Sequence, residues 1–368
     1  MKNYYDIHGL LSIEISDGLG RIEDYIYKEL KYFKASQKKE ADIKVIFKPD
    51  LEFISSSVCL LRDLYYRQGV LYFIYPEGAA SFPIKDIAKE NITLEIDKAI
   101  PLHLAFAFIE KILSLKLIEK GYCLIHAACC KVNDCTTLYA ALPGTGKTAW
   151  VLDNCSQGAG FLSDDLTLLN KDAEVFSYPR AFTIAKYHRK YFSCYLKNRP
   201  LSARIKYRLL KVALFFMSMV SIAWKKLKNK IDKYRQGKDY FRIRIEEVVP
   251  GLNILKKDKV REILIAFKSG QEFKDSSVWD TERVVDFLVH NTNRELIKFI
   301  DLHLPAFYAY GDGYYRIFKQ YLKACFQRQK EIMSSAVEKC TVKICYNNQV
   351  QKVFSQQKRD LITSTEEK

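Results

Sequence analysis

A chain of 368 residues is long enough for two domains with their own cores, and a 48% hydrophobic content excludes a disordered protein. The net charge of +16 is uneven: residues 186–244 hold 18 Lys and Arg against Asp232 and Asp239, so the rest of the chain balances. Ten cysteines without a C-x-x-C pair exclude a disulfide scaffold, and with an N-terminus that lacks an apolar h-region they predict free core thiols in a cytoplasmic protein.

In chain order, residues 1–96 predict a small α+β domain. Tyr4 to Ile15 alternates as a strand, Gly20 to Phe33 has helical spacing, and Asp42 to Phe47, Val70 to Tyr75 and Asn91 to Ile96 read as further strands. Leu102 to Glu119 is an apolar, buried helix, with His103 as a core or helix-end residue. Residues 97–347 then form the second domain. Tyr122 to Lys131 and Thr136 to Leu142 read as a strand pair around Asn133-Asp134, with His126 mid-strand.

The second of these strands runs into Leu138-Tyr-Ala-Ala-Leu-Pro-Gly-Thr-Gly-Lys-Thr148, the pattern of a phosphate-binding P-loop. Pro143, Gly144, Thr145 and Gly146 let the backbone curl so that several N–H groups point at an anion. Lys147 would reach the β- and γ-phosphates of ATP, and the Thr148 hydroxyl would ligate Mg²⁺. A helix from Thr148 to about Asn154 adds its N-terminal dipole. The usual pattern has Gly where this chain has Ala141. Sixteen residues on, Asp164-Asp165 stands between two short apolar strands. Paired carboxylates in such a place are costly without a cation. One would hold Mg²⁺ and the other would accept a proton from an attacking hydroxyl; spacing alone does not say which.

Beyond these motifs lies the basic stretch, whose 186–239 part reads as a helical insertion. It suits docking of an acidic peptide or small protein; a membrane surface ranks second, and no nucleic-acid reading module is present. Its apolar run from Val212 to Trp224 is too short to span a bilayer and reads as a buried helix or self-association face, leaving a homo-oligomer or an interfacial anchor as further options. Tyr240 to Val249 and Arg261 to Lys268 return to strand character. Arg242 and Arg244, two apart, would share one sheet face and bind the acceptor or the transferring phosphate. Helices follow over Thr281 to Val289, Asn293 to Leu302 and Gly313 to Lys330. Cys340 to Tyr346 is a last strand, and 348–368 reads as a disordered tail.

Leu124-Ile-His126-Ala-Ala, the P-loop, Phe161-Leu-Ser-Asp-Asp165 and Val175-Phe-Ser-Tyr-Pro-Arg180, and more faintly Phe241-Arg-Ile-Arg-Ile-Glu-Glu247, resemble the catalytic domain of the HPr kinase/phosphorylase family over about 120 to 270 with gaps. The resemblance implies an α/β P-loop kinase core of the HPr kinase/phosphoenolpyruvate carboxykinase-like type. It also implies transfer of the γ-phosphate of ATP to a serine hydroxyl. It maps the general base to Asp164, the following Asp to Asp165 and the upstream histidine to His126; on that mapping Thr148 and Asp165 would hold Mg²⁺ and His126 would assist, and Arg180, which ends one of the resembling stretches, joins Arg242 and Arg244 as a substrate-binding candidate. Ala141, and the lack of a phosphorylase-type signature near the C-terminus, place the chain among divergent relatives. Some of these phosphorylate a natural-product precursor peptide and others act on free serine. The expected function is thus an ATP- and Mg²⁺-dependent kinase acting on Ser or Thr of a peptide or small protein. The rivals are a small-molecule kinase and a non-catalytic ATP-binding regulator.

Overall fold

Alternating apolar residues in the first hundred positions build one sheet. The computed structural model describes residues 2–16, 20–36, 40–49, 51, 57–61, 64–76, 78–185, 197, 201, 202, 205, 209, 212, 240–267, 279–301 and 313–346. Strands β1 (Lys2–Ile7), β2 (Leu11–Ser16), β3 (Ile43–Lys48), β4 (Val58–Leu61), β5 (Leu64–Arg67), β6 (Val70–Tyr75), β7 (Gly78–Phe82) and β8 (Ile92–Asp97) join in the order β1-β2-β3-β8-β7-β6-β5-β4. The stretch expected as one strand over Tyr4 to Ile15 is a hairpin. His8 and Gly9 take positive φ of 55° and 74° and turn the chain between β1 and β2. Helix α1 (Arg21–Leu30) follows the expected spacing.

Helix α2 (Leu102–Glu119) is apolar on nearly every side because it is sandwiched, touching β2 and β3 on one side and β9 (Tyr122–Ile125) on the other. His103 lies exposed in its first turn. One apolar core runs without interruption from Tyr5 through α2 to Val337.

The rest of the described chain forms a five-stranded sheet and a four-stranded one. The larger has the order β12 (Gly160–Ser163), β10 (Ala127–Val132), β11 (Cys135–Ala141), β18 (Glu262–Phe267), β19 (Thr341–Tyr346), with β11, β18 and β19 parallel. The smaller is antiparallel, in the order β17 (Lys257–Lys259), β14 (Glu174–Phe176), β13 (Thr167–Asn170), β9. Helix α3 (Lys147–Cys155) follows β11. A separate hairpin pairs β15 (Phe182–Ala185) with β16 (Tyr240–Ile243) and brackets the insertion; the basic and apolar runs of 186–239, apart from six positions, and the tail lie outside the described residues. Helices α4 (Thr281–Asp301) and α5 (Gly313–Val337) pack together. The fold is mixed α/β of the α+β kind. Among the described residues no helix is long and apolar enough to cross a membrane.

Several elements differ from expectation for physical reasons. The two helices expected over 281–302 are one. The polar run His290-Asn-Thr-Asn293 looks like a break, but Asn291 and Asn293 are buried there and hydrogen-bonded to His126 O at 3.0 Å and Gln329 Oε1 at 2.6 Å. Helix α5 runs seven residues past Lys330, to Val337. The strand expected over 240–249 ends at Ile243, where Arg244 N–H donates to Glu247 Oε1 at 2.9 Å and caps a short 3₁₀ turn.

Most important for the site, Tyr122 to Lys131 is not one strand. It breaks at His126, leaving β9 in the small sheet and β10 in the large one. The antiparallel neighbour breaks at the same level, between β12 and β13, at Asp164-Asp165-Leu166. Thr167 Oγ1 donates to Ala127 O at 2.8 Å and also meets Ser163 Oγ, stitching the seam.

Candidate active site

The seam frees the backbone of His126 from a sheet ladder, and α4 replaces the missing partners. His126 N–H donates to Thr292 Oγ1 at 3.0 Å, and Asn291 Nδ2 donates to His126 O. The histidine is therefore held at a sheet junction rather than mid-strand. On the facing chain Asp164 is buried, 8% exposed, whereas the Asp165 side chain is 52% exposed.

The P-loop leaves the C-terminal end of β11, where β18 also ends. Ala141 is the last residue of that strand, fully buried and paired with Ala266. The departure from the usual pattern therefore falls in extended backbone, where a Cβ packs into the core, and not in the turn. The turn itself depends on Gly144 and Gly146, at φ of 82° and 100°. An added Cβ would meet nothing at either, so the requirement is conformational and not steric. Gly146 caps α3 and starts its hydrogen bonding through Trp150 N–H to Gly146 O at 2.9 Å. Behind the helix, Trp150 stacks on Tyr139 with ring centres 5.1 Å apart, anchoring α3 to β11.

Five side chains from the three segments converge. Lys147 Nζ donates to Ala141 O at 3.0 Å and to His126 Nε2, and lies 3.8 Å from Asp165 Oδ1. With Nε2 accepting from lysine, the ring proton of His126 sits on Nδ1, 3.4 Å from Asp165 Oδ1. Thr148 Oγ1 donates to Asp164 Oδ2 at 3.2 Å. Burial lowers the Lys147 ammonium from its ordinary value, with Asp165 and Asp164 opposing. Burial, reinforced by the Asp165 charge, pushes the Asp164 carboxyl up to about 7. Its Oδ1 is buried without a hydrogen-bond partner.

Oxygen ligands are what Mg²⁺ prefers, and it takes only one or two from protein when phosphates and water complete its shell. The Thr148 hydroxyl with one of the two carboxylates is such a set, and the orphaned Asp164 Oδ1 is an oxygen that a hydrated cation or an incoming hydroxyl would satisfy. Pro143, Gly144, Thr145 and Gly146 lie on the loop itself.

Beside these groups, between α2 and α4, opens a pocket of about 490 Å³ bordered by His126, Pro143, Asp165 and Arg180. That size lies within the range of small-ligand sites. Of the three expected acceptor-binding arginines only Arg180 lines it. Arg242 is engaged with Glu29 of α1, and Arg244 Nε is 3.1 Å from Glu246 in the adjoining turn, so the two do not share one exposed sheet face. Sequence reading missed Asn291, Thr292, Glu29 and Glu110. The first two carry no local signal, since they act on His126 from far along the chain. The two glutamates do carry one: each is an acid on an otherwise core-facing stretch of helix.

Comparison of the chain with protein-family models gives no match, and comparison with curated proteins gives no significant one.

Proposed function

We propose that the protein is an ATP- and Mg²⁺-dependent phosphotransferase, built on a P-loop core of the HPr kinase/phosphoenolpyruvate carboxykinase-like type, that acts on a hydroxyl of Ser or Thr in a peptide or small protein. The observation that carries this is the convergence, within hydrogen-bonding or ion-pairing reach, of three separate segments: Lys147-Thr148, His126 and Asp164-Asp165. Bound Mg²⁺ would neutralise charge on the β- and γ-phosphates, with Thr148 and Asp165 holding it. The loop N–H groups bind the phosphates. Lys147 balances charge on the transferring group. His126 orients Asp165 through Nδ1–H. Asp164 takes the proton from the acceptor hydroxyl at its free Oδ1, and the upward push on its carboxyl suits a base working near neutral pH.

Two observations favour a second distribution of roles. Thr148 bonds to Asp164, and Asp165 is the carboxylate on the pocket wall. In that arrangement Asp164 serves the metal and Asp165 the hydroxyl. Asp164→Asn and Asp165→Asn decide between them: the base variant keeps Mg·ATP affinity and loses transfer, and the metal variant needs more Mg²⁺. Normal transfer by both would remove the carboxylates from the mechanism altogether.

The pH dependence has a definite sign. A base must be ionised, so the rate falls as pH drops through the carboxyl's midpoint. That midpoint is at about 7 in the metal-free protein, and bound Mg²⁺ pulls it lower. A rate that instead rose on acidification would contradict a carboxylate base.

The basic stretch of residues 186–244 would hold an acidic acceptor in the cytoplasm. Neutralising Lys225, Lys226, Lys228 and Lys230 together raises the acceptor KM and leaves slow ATP hydrolysis unchanged. Salt does the same to the wild type once the Debye length falls to about 8 Å or less. Acceptor affinity indifferent to both, together with binding to anionic vesicles lost when Phe215, Phe216 and Trp224 become Ser, would replace docking by membrane contact.

A further inference from the structure

Glu29 belongs to α1, outside every motif of the site, yet it is fully buried one guanidinium away from the pocket. Arg242 Nη2 donates to its Oε2 at 2.8 Å, and Arg242 Nε to its Oε1. Arg180 Nε faces the same Oε2 at 3.5 Å, Arg180 Nη1 reaches Glu110 Oε1 at 2.6 Å, and the guanidinium lies over the Phe106 ring at 5.2 Å. Arg180 is thus gripped from α1 and α2 while it lines the pocket with Asp165. The grip also closes the foot of the β15–β16 hairpin, since Arg180 stands two residues before Phe182 and Arg242 pairs with Thr183.

Holding the sheet and helices together does not call for this arrangement. Desolvating four charges offsets most of their attraction, and apolar residues of similar volume would serve the junction as well. What the cluster supplies is a planar, five-donor cation in a fixed orientation, the group best suited to a carboxylate or phosphate. The charges bordering the pocket leave room for one more anion: Lys111, Arg180 and Arg294 stand against Glu110 and Asp165. Burial also pushes the Glu110 carboxyl up, against the pull of Arg180, which weakens it as a competitor for that cation.

We propose that Arg180 forms an oxyanion subsite of this pocket, taking a phosphate or carboxylate group, and that Glu29 is its positioning residue, supplied by the N-terminal part of the chain. The subsite rests on the phosphotransfer reading only for its use in the reaction; as a binding site it is testable without turnover.

The test follows the Arg180 Nε–H resonance by nitrogen-15 NMR while inorganic phosphate is added to the full-length protein. Because the P-loop also binds phosphate, the titration is repeated in Lys147→Ala, where a surviving Arg180 response belongs to the pocket. The resonance is expected to shift on titration in both proteins. Glu29→Gln should weaken this phosphate site by about tenfold, with ADP affinity unchanged. Arg180→Lys, which has no Arg180 resonance and whose phosphate affinity is therefore read by calorimetry in the Lys147→Ala background, should do the same, and on that readout the double variant should be no worse than Arg180→Lys alone, because Glu29 acts through Arg180. If Glu29→Gln does not fold, Glu29→Gln with Arg242→Gln removes the opposing charge as well and reads the same coupling. An Arg180 resonance indifferent to phosphate, or single-variant effects that multiply, would overturn the proposal. An Arg180 that responds in a protein without phosphoryl transfer would instead count against the kinase reading and keep the subsite.

Discussion

Asp164→Asn is expected to lower phosphoryl transfer by about 10²–10⁴-fold while Mg·ATP still binds. Asn keeps the shape, so Thr148 retains an oxygen partner, but the group proposed to accept the hydroxyl proton is gone. The same substitution should stabilise the fold at alkaline pH, and the sign follows from linkage. The carboxyl's ordinary value is 3.8 and in the folded protein it is about 7. Between these values the native state keeps a proton that the unfolded chain has released, so stability declines as pH rises through the window. Above about 7 the native state carries a buried ionised carboxylate, a penalty on the order of a few kcal/mol that Asn does not have. A melting temperature of Asp164→Asn above wild type at pH 8, converging towards pH 4, is the expected pattern. Equal melting curves at both pH values would mean that the carboxyl is not held in a raised state.

Lys147→Ala should bring nucleotide-dependent transfer to background, a loss of about 10²–10³-fold or more. The ammonium is 8% exposed and already desolvated, so it meets a phosphate without first shedding bulk water. Its polar contacts are Ala141 O, His126 Nε2 and Asp165, all within the site. The fold should therefore survive with the small stability change of a substitution that opens no core cavity, within about 1–2 kcal/mol. Circular dichroism and a melting curve check that, and a turnover assay checks the rate. A folded Lys147→Ala protein with wild-type turnover would leave the P-loop without a catalytic part.

The legible features of the chain are the local ones. The P-loop depends on Gly144 and Gly146, whose positive φ is a property of two residues, so sequence alone reveals it. The extents of α2 and β6 follow from a largely apolar stretch of helical length and from a short run of β-branched, aliphatic and aromatic residues bounded by Gly69 and Pro76. The breaks at His126 and at Asp164-Asp165 were not legible as a pair. Each sits in a continuous apolar stretch, and only the antiparallel pairing of two distant segments shows that both chains change sheets together. The continuity of α4 through Asn291 and Asn293 was hidden for the same reason, because their partners His126 and Gln329 lie elsewhere in the chain. Arg242 looked free on a strand face; the acid that engages it is on α1, some two hundred positions earlier.

The most direct measurement is the mass of candidate acceptors, acidic Ser- and Thr-containing peptides and free hydroxy amino acids, after incubation with the protein, ATP and Mg²⁺. The expected result is a gain of one phosphate on an acceptor, with ADP formed in equal amount, dependent on Mg²⁺ and absent with Lys147→Ala. Failure of the wild-type protein to bind Mg·ATP, or a phosphate gain that persists undiminished in Lys147→Ala, would contradict it.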